Sequence, residues 1–351
     1  MLRIFFKYCV FCLLVVACNN TVHQHNHART IDIKNIKNQV IALNTIFNTK
    51  VLPLHSDSSG YFANIKDVVV AGQSIYILNE ATGSIAKFNR HTGTLEQEIC
   101  RQGRGASEYL QPTAISADSN HIYLLDVAGL AIYEYSLDLQ NGRKIYLGFP
   151  ALDFIRTSDG FLCYNLATSE KQRQVVYVDH TGEIKESYGK SEVSNTMLSG
   201  SNLFSKDNIG NIYCVLPSER VIYQWDESNH QLLSYMNYDF GNYNYLGDAT
   251  ESTAMNGNYA IPSEFFKIDS LSIRSFLFSE NRYYDFNSSS WSSPKTGLVE
   301  DKQGNIPFYP RWQAGDMLIG TYSPDEIEDT LNTEKDFVYG ERLILFTLKQ
   351  E

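Results

Sequence analysis

Basic residues are in short supply in this 351-residue chain: 29 lysines and arginines stand against 40 aspartates and glutamates, a net charge of −11. A nucleic-acid partner needs a basic face to neutralise phosphates, so this balance argues against one. Long apolar runs are missing as well. The stretch from Tyr8 to Ala17 is about ten residues, half of the roughly 20 that a helix needs to cross a bilayer. Cysteine is scarce: of six in all, Cys9, Cys12 and Cys18 fall near the N-terminus. The other three, Cys100, Cys163 and Cys214, are an odd number and make no complete disulfide framework. Beyond Cys18 there is no CxxC, no HExxH and no Cys/His set with zinc spacing. A GxSxG nucleophile elbow is missing, and Gly103-Arg104-Gly105 lacks the third glycine and following helix of a dinucleotide-binding turn. Few stretches carry the 3.6-residue periodicity of an amphipathic helix; apolar/polar alternation at period two dominates instead.

What is present begins with an address. Met1-Leu2-Arg3 and Lys7 supply positive charge, the short apolar run follows, and Val15-Val16-Ala17-Cys18 closes it. This ending resembles a bacterial lipobox, in which small residues precede an acylated cysteine. Residues 1–17 are then a lipoprotein signal peptide, and Cys18 is the lipidated mature N-terminus. An ordinary signal peptide is the alternative. Asn19 follows Cys18, where no aspartate argues for inner-membrane retention, so the expected address is the outer membrane, on its periplasmic or surface face. Lipid on Cys18 would hold a soluble domain to the membrane, each buried CH₂ contributing roughly 0.8 kcal/mol. Residues 18–38 read as a solvated, flexible tether; its alternating His23, His25 and His27 are the only hint of weak metal affinity there. Without Arg3 and Lys7 the mature chain has 27 basic and 40 acidic residues.

From 39 onward the chain repeats. The second strand of each unit is a short apolar-aromatic run after a polar turn: Ile75-Tyr76-Ile77-Leu78, Ile122-Tyr123-Leu124-Leu125, Phe161-Leu162-Cys163-Tyr164 and Ile212-Tyr213-Cys214-Val215. The third strands match too, from Ile85-Ala86-Lys87-Phe88 to Val221-Ile222-Tyr223-Gln224-Trp225. The spacing of ~40–50 residues fits a four-stranded propeller blade. Ser74–Ile99, preceded by a strand over Ile65–Val70, is the cleanest copy. Cys163 and Cys214 hold equivalent places and read as small apolar core residues, with a bridge between them as the alternative. Beyond Ser234 the repeat is ragged, but Ser272–Phe278 with Arg282–Phe286 makes a fifth blade, and a sixth starts near Ile306. Asp248–Asn258 reads as an inserted loop and Ser323–Glu334 as an acidic excursion. The expected fold is all-β: residues 39–351 form a six-bladed β-propeller of four-stranded antiparallel blades. The N-terminal strands, Val40–Leu43 and Lys50–Leu54, pair with the C-terminal strand in the sixth blade and close the ring, which removes open edges.

Two crossings between blades are the candidate ligand sites. In the first, Gly103 to Tyr109, the glycines allow backbone angles that other residues resist; Arg104, Glu108 and Tyr109 either face a ligand at the channel mouth or clip blade to blade. In the second, Pro307 to Trp312, Tyr309, Arg311 and Trp312 offer aromatic faces and a guanidinium fork to a sugar or peptide, or pack the junction. The tyrosines Tyr235, Tyr238, Tyr243 and Tyr245 extend such a surface or pack strands. Asp67, Asp126, Asp153, Asp207 and Asp226 are scattered one per blade. Carboxylates converging on a channel can bind calcium, but Asp126 and Asp179 suit turn capping better.

Four segments carry a resemblance to a known family: Val51-Leu52-Pro53-Leu54, Gln102-Gly103-Arg104-Gly105-Ala106-Ser107-Glu108-Tyr109, Asp301 to Arg311, and Leu343 to Lys349. Over residues 40–350 the chain resembles the six-bladed β-propeller lipoproteins of Bacteroides-type bacteria, relatives of NHL-repeat propellers. Where that family often has Pro-Gly, this chain has Ala106-Ser107. The resemblance implies the fold and a cell-envelope location, and no established reaction. The expected function is therefore a non-catalytic envelope lipoprotein that binds a ligand or a protein partner, such as an accessory to nutrient uptake. No catalytic residue, metal or cofactor is expected. The rival is a metal-dependent, lactonase-like hydrolase or lyase acting at the central channel.

Overall fold

The computed structural model describes residues 30–36, 38–55, 64–105, 107–165, 173–189, 202–216, 219–244, 255–301, 306–322 and 342–349. The signal segment, Cys18, most of the 18–38 stretch, Tyr245 and the Ser323–Glu334 segment lie outside the described residues.

The chain opens with a one-turn helix, α1 (Ile33–Ile36), and two strands, β1 (Val40–Ala42) and β2 (Phe47–Pro53). Blade 1 follows as β3 (Ile65–Ala71), β4 (Ser74–Asn79), β5 (Ile85–Asn89) and β6 (Leu95–Ile99). Blade 2 comprises β7 (Pro112–Ala117), β8 (His121–Asp126), β9 (Ala131–Ser136) and β10 (Asn141–Tyr146). Blade 3 has β11 (Ala151–Arg156), β12 (Gly160–Asn165), β13 (Val175–Asp179) and β14 (Ile184–Tyr188). Blade 4 has β15 (Phe204–Lys206), β16 (Ile212–Leu216), β17 (Val221–Asp226) and β18 (Gln231–Asn237). Blade 5 has β19 (Ile261–Ile268), β20 (Leu271–Phe278), β21 (Asn281–Ser288) and β22 (Lys295–Glu300). Blade 6 is β23 (Pro310–Ala314), β24 (Met317–Tyr322), β25 (Arg342–Leu348) and, from the other end of the chain, β2. Each is an antiparallel meander, and together they form a six-bladed β-propeller.

Burial explains the strand sequences. The second strand of a blade has neighbours on both edges and a blade against each face, so it reads as a continuous apolar run rather than an alternation. Every residue of β4 and β12 is buried. The outermost strand has one free edge; β6 alternates half-buried with exposed residues, and β14 is mostly exposed. The core is divided into six apolar clusters, one at each junction between neighbouring blades. Cys163 belongs to the cluster between blades 2 and 3 and Cys214 to that between 3 and 4; both are buried and unbridged.

The ring closes through β2, which pairs antiparallel with β25 from Phe47↔Leu348 to Pro53↔Arg342. At its end Pro53 O comes so close to Gly93 that a Cβ there would lie 1.9 Å away, and Gly93 has φ +74, so only glycine fits the crossing. The first N-terminal strand departs from expectation. β1 does not join blade 6 but runs parallel to β22 along the outside of blade 5, with Val40 opposite Leu298 and Ala42 opposite Glu300. Gly297 permits this: a Cβ there would lie 2.4 Å from Gln39 O, the oxygen that accepts from Leu298 N at 2.8 Å. Ile31, Ile33 and Ile36, within the stretch read as a tether, are buried between blades 4 and 5. The ordered fold therefore reaches back at least to Thr30.

Candidate functional site at the propeller axis

The first strand of each blade is innermost. β23, β3, β7, β11, β15 and β19 touch in that order around the axis, and β15 also reaches β23. Five of the six are bulged near their start, at Ile65/Asp67, Pro112/Ala114, Ala151/Asp153, Pro262/Phe265 and Pro310/Trp312. A bulge frees a residue from the ladder and re-aims its side chain.

Inner-strand edges leave backbone groups without ladder partners, and side chains from neighbouring blades supply them. Asp67 Oδ2 accepts from Ile115 N at 2.7 Å, joining blade 1 to blade 2. Ser116 Oγ accepts from Arg156 N at 3.0 Å, joining 2 to 3. Asp153 Oδ2 accepts from Leu203 N at 3.1 Å, joining 3 to 4. The Gln313 amide bonds both the N–H and the carbonyl of Lys267, joining 6 to 5. Arg311 donates to Ile65 O at 3.4 Å and Lys66 O at 3.2 Å, joining 6 to 1. Asn202 Nδ2 donates to Arg311 O at 3.0 Å, from blade 4 to blade 6.

Two of these groups are electrostatically loaded. Burial pushes the Asp67 carboxyl up to about 6, against the backbone N–H donors of Ile115 and Val68, the Trp312 indole that faces it and the Arg311 charge. Burial likewise pushes Asp153 up to about 7, and the negative charge of Asp67 adds to it. Both carboxyls hold their protons more tightly in the fold than in the unfolded chain, where an aspartate titrates near 3.9. Their contribution to stability is therefore full below about pH 4 and is lost as pH rises through 6 to 7. Unfolding free energy is expected to fall over that window by at most about 1.4 kcal/mol per pH unit for each group. Urea titrations from pH 5 to 8 should show a shallower decline in Asp153→Asn than in the wild type; an unchanged slope removes Asp153 as the titrating group.

Several inner-strand atoms keep hydrogen-bonding capacity in reserve. Thr113 Oγ1, Ser205 Oγ and Glu264 Oε1 are buried and have no hydrogen-bond partner among the described residues. Each such atom costs about 1–3 kcal/mol if nothing satisfies it, and a buried water is the usual way such a group is satisfied. Glu264 Oε2 is taken by Arg282 and Ser275. Burial opposes the Arg282 charge, but the Glu264 carboxylate more than offsets it and raises the guanidinium further. Among the described residues no three His, Cys, Asp or Glu side chains gather around one point that could hold a metal ion.

The six residues picked from the sequence fall at different junctions. Tyr109 is fully buried between blades 1 and 2; its hydroxyl accepts from Arg101 N at 3.0 Å and donates to Gly83 O at 2.8 Å. Burial lifts that phenol to about 12. Glu108 folds its carboxylate back onto Gly105 N at 2.7 Å, and a Cβ on Gly103 would lie 2.0 Å from the same oxygen. Arg104 is exposed beside them. Tyr109 thus packs between blades 1 and 2, the Glu108 carboxylate braces its own loop, and Arg104 is exposed. In the second segment, Arg311 stacks over Trp312 at 4.4 Å and Trp312 is buried beside Asp67. Tyr309 lies under Arg282, whose Nη2 donates to its hydroxyl at 2.9 Å. Of the scattered aspartates, Asp67 and Asp153 reach the inner strands. Asp126 instead accepts from Leu110, Gln111 and Gly129 N–H groups, while Asp207 and Asp226 cap turns and share blade 4 rather than standing one per blade. Glu264, Asn202 and Thr113 were not singled out from the sequence; their signal is a polar residue at the irregular start of an otherwise apolar strand.

Fold and site together define a six-bladed propeller with a polar axis stapled by side chains from blade to blade. The chain belongs to the DUF4934 family, a domain of unknown function, which matches residues 28–344. No curated protein matches the chain. Among solved structures, a Bacteroides fragilis protein described as exported is similar at a TM-score of 0.70 and 15% identity, covering 89% of this chain and 100% of that one. A member of the DUF4221 family from Bacteroides vulgatus is similar at a TM-score of 0.55 and 10% identity, covering 86% of this chain and 96% of that one. At these identities the likeness is one of fold.

Proposed function

We propose that this protein is a non-catalytic, lipid-anchored cell-envelope protein whose propeller axis binds a small polar ligand or docks the polar group of a partner, as an accessory to uptake. One observation supports the reading: inner strands of three different blades hold buried polar atoms with no hydrogen-bond partner among the described residues, at Thr113, Ser205 and Glu264. The N-terminal pattern ending in Cys18 and the exported neighbour from Bacteroides fragilis support the envelope location.

Native mass spectrometry of protein taken from its own membranes is expected to show a small-molecule adduct that Thr113→Val weakens and denaturation releases. A bare polypeptide mass, or an adduct indifferent to Thr113, overturns axial binding. The same spectra read the N-terminus: an unmodified Cys18, or cleavage elsewhere, ends the lipid anchor and leaves the axial site to stand by itself.

A further inference from the structure

Blade 5 breaks the rule that the other second strands follow. β20 reads Leu-Ser-Ile-Arg-Ser-Phe over residues 271–276, and it buries Ser272, Arg274 and Ser275 where β4, β8, β12 and β16 bury chiefly apolar side chains. Arg274 Nε donates to Asp285 Oδ2 at 3.1 Å and Nη1 to Asn237 O at 2.8 Å, while Thr296 holds the other Asp285 oxygen. A buried ion pair of this kind adds little net stability over apolar residues of the same volume, so stability alone does not account for it.

Against this pair a groove of about 800 Å³ opens between blades 4 and 5, within the ~300–1,000 Å³ of small-molecule sites. Arg274, already neutralised by Asp285, is part of its wall. The Lys267 ammonium sits 5.4 Å from the Tyr235 ring centre and 5.9 Å from that of Tyr213, and no carboxylate lies within ion-pair reach of it among the described residues. Gln224, Asn287 and Ser289 line the groove with side chains that make no hydrogen bond among the described residues. Asp269 also lines it and accepts from Asn208 at 2.6 Å.

We infer that this groove is a binding site for an acidic saccharide. Lys267 is the counter-charge for the ligand's carboxylate. Gln224, Asn287 and Ser289 supply the paired donors and acceptors that hydroxyl groups require, and Asp269 accepts at the rim. Tyr235 and Met236 give the apolar wall against which a sugar's C–H face packs. The Arg274–Asp285 pair adds no net charge to that wall, so that Lys267 is the cation left for the ligand's acid, with Asp269 at the rim reserved for hydroxyl groups.

Titration calorimetry with three probes tests this: a disaccharide ending in glucuronic acid, its neutral glucose counterpart and sodium acetate. The acidic disaccharide is expected to bind at least about tenfold more tightly than either of the others. Lys267→Met should lose about tenfold in affinity, and Ser289→Trp, at an exposed turn, should block the groove with thermal unfolding unchanged. The inference is overturned if the acidic disaccharide gives no binding, if the neutral disaccharide or acetate binds as tightly, or if both variants bind like the wild type.

Discussion

Arg274→Leu is expected to destabilise the protein by about 3–5 kcal/mol, because it removes the counter-charge that the buried Asp285 carboxylate is paired with. Asp285 is wholly buried and Arg274 nearly so, and the guanidinium also serves Asn237 O. Asp285→Leu should cost a similar amount by stranding the cation. The double variant Arg274→Leu/Asp285→Leu should recover most of the loss, since apolar residues in place of both partners leave no charge unpaired. Urea unfolding of the four proteins gives the coupling directly. If the double variant is as unstable as the two single losses added together, the pair is not coupled and the account of blade 5 fails. Exposed pairs such as Lys66–Glu80 should show little coupling in the same experiment, because solvent screens them.

A comparable loss, about 3–5 kcal/mol, is expected for Phe47→Ala at the start of the closing strand. Phe47 is buried among the rings of Phe308, Phe286 and Phe346, at centroid distances of 5.3, 6.3 and 6.2 Å. Its removal opens a cavity at the junction with blade 5, one of the two junctions of the blade that is assembled from both ends of the chain. Asn48→Ala, on the exposed face of the same strand, should leave stability nearly unchanged. Equal effects from the two substitutions would mean that β2 contributes through its backbone ladder and not through the core.

The blades were legible in the sequence because their second and third strands face neighbours on every side. That environment demands unbroken apolar runs, and runs such as Ile75–Leu78 and Ile122–Leu125 announce themselves between Asn, Asp and Gly turns. The closing strand could be placed because a lone strand at one end of the chain must find an edge. β1, expected in the sixth blade, lies on the fifth. Three residues carry no period, and its parallel ladder depends on the closeness that Gly297 allows, which shows only once the backbones meet. The axis was hidden for another reason. Bulges break the two-residue alternation just where Thr113, Asp153 and Glu264 sit, and hydrogen bonds to a neighbouring blade leave no local pattern. The Gly103–Tyr109 loop was found from its glycines, and those glycines make room for the Glu108 carboxylate.

The packing of residues 30–36 and the pairing of β1 also have a mechanical meaning. A pull on the chain ahead of Thr30 is borne first by three buried isoleucines and the short parallel ladder of β1 on β22. Only when these give way does load reach the longer antiparallel ladder of β2 on β25 that holds the ring shut. These N-terminal contacts thus stand in series with the ladder that closes the ring and lie ahead of it along the chain.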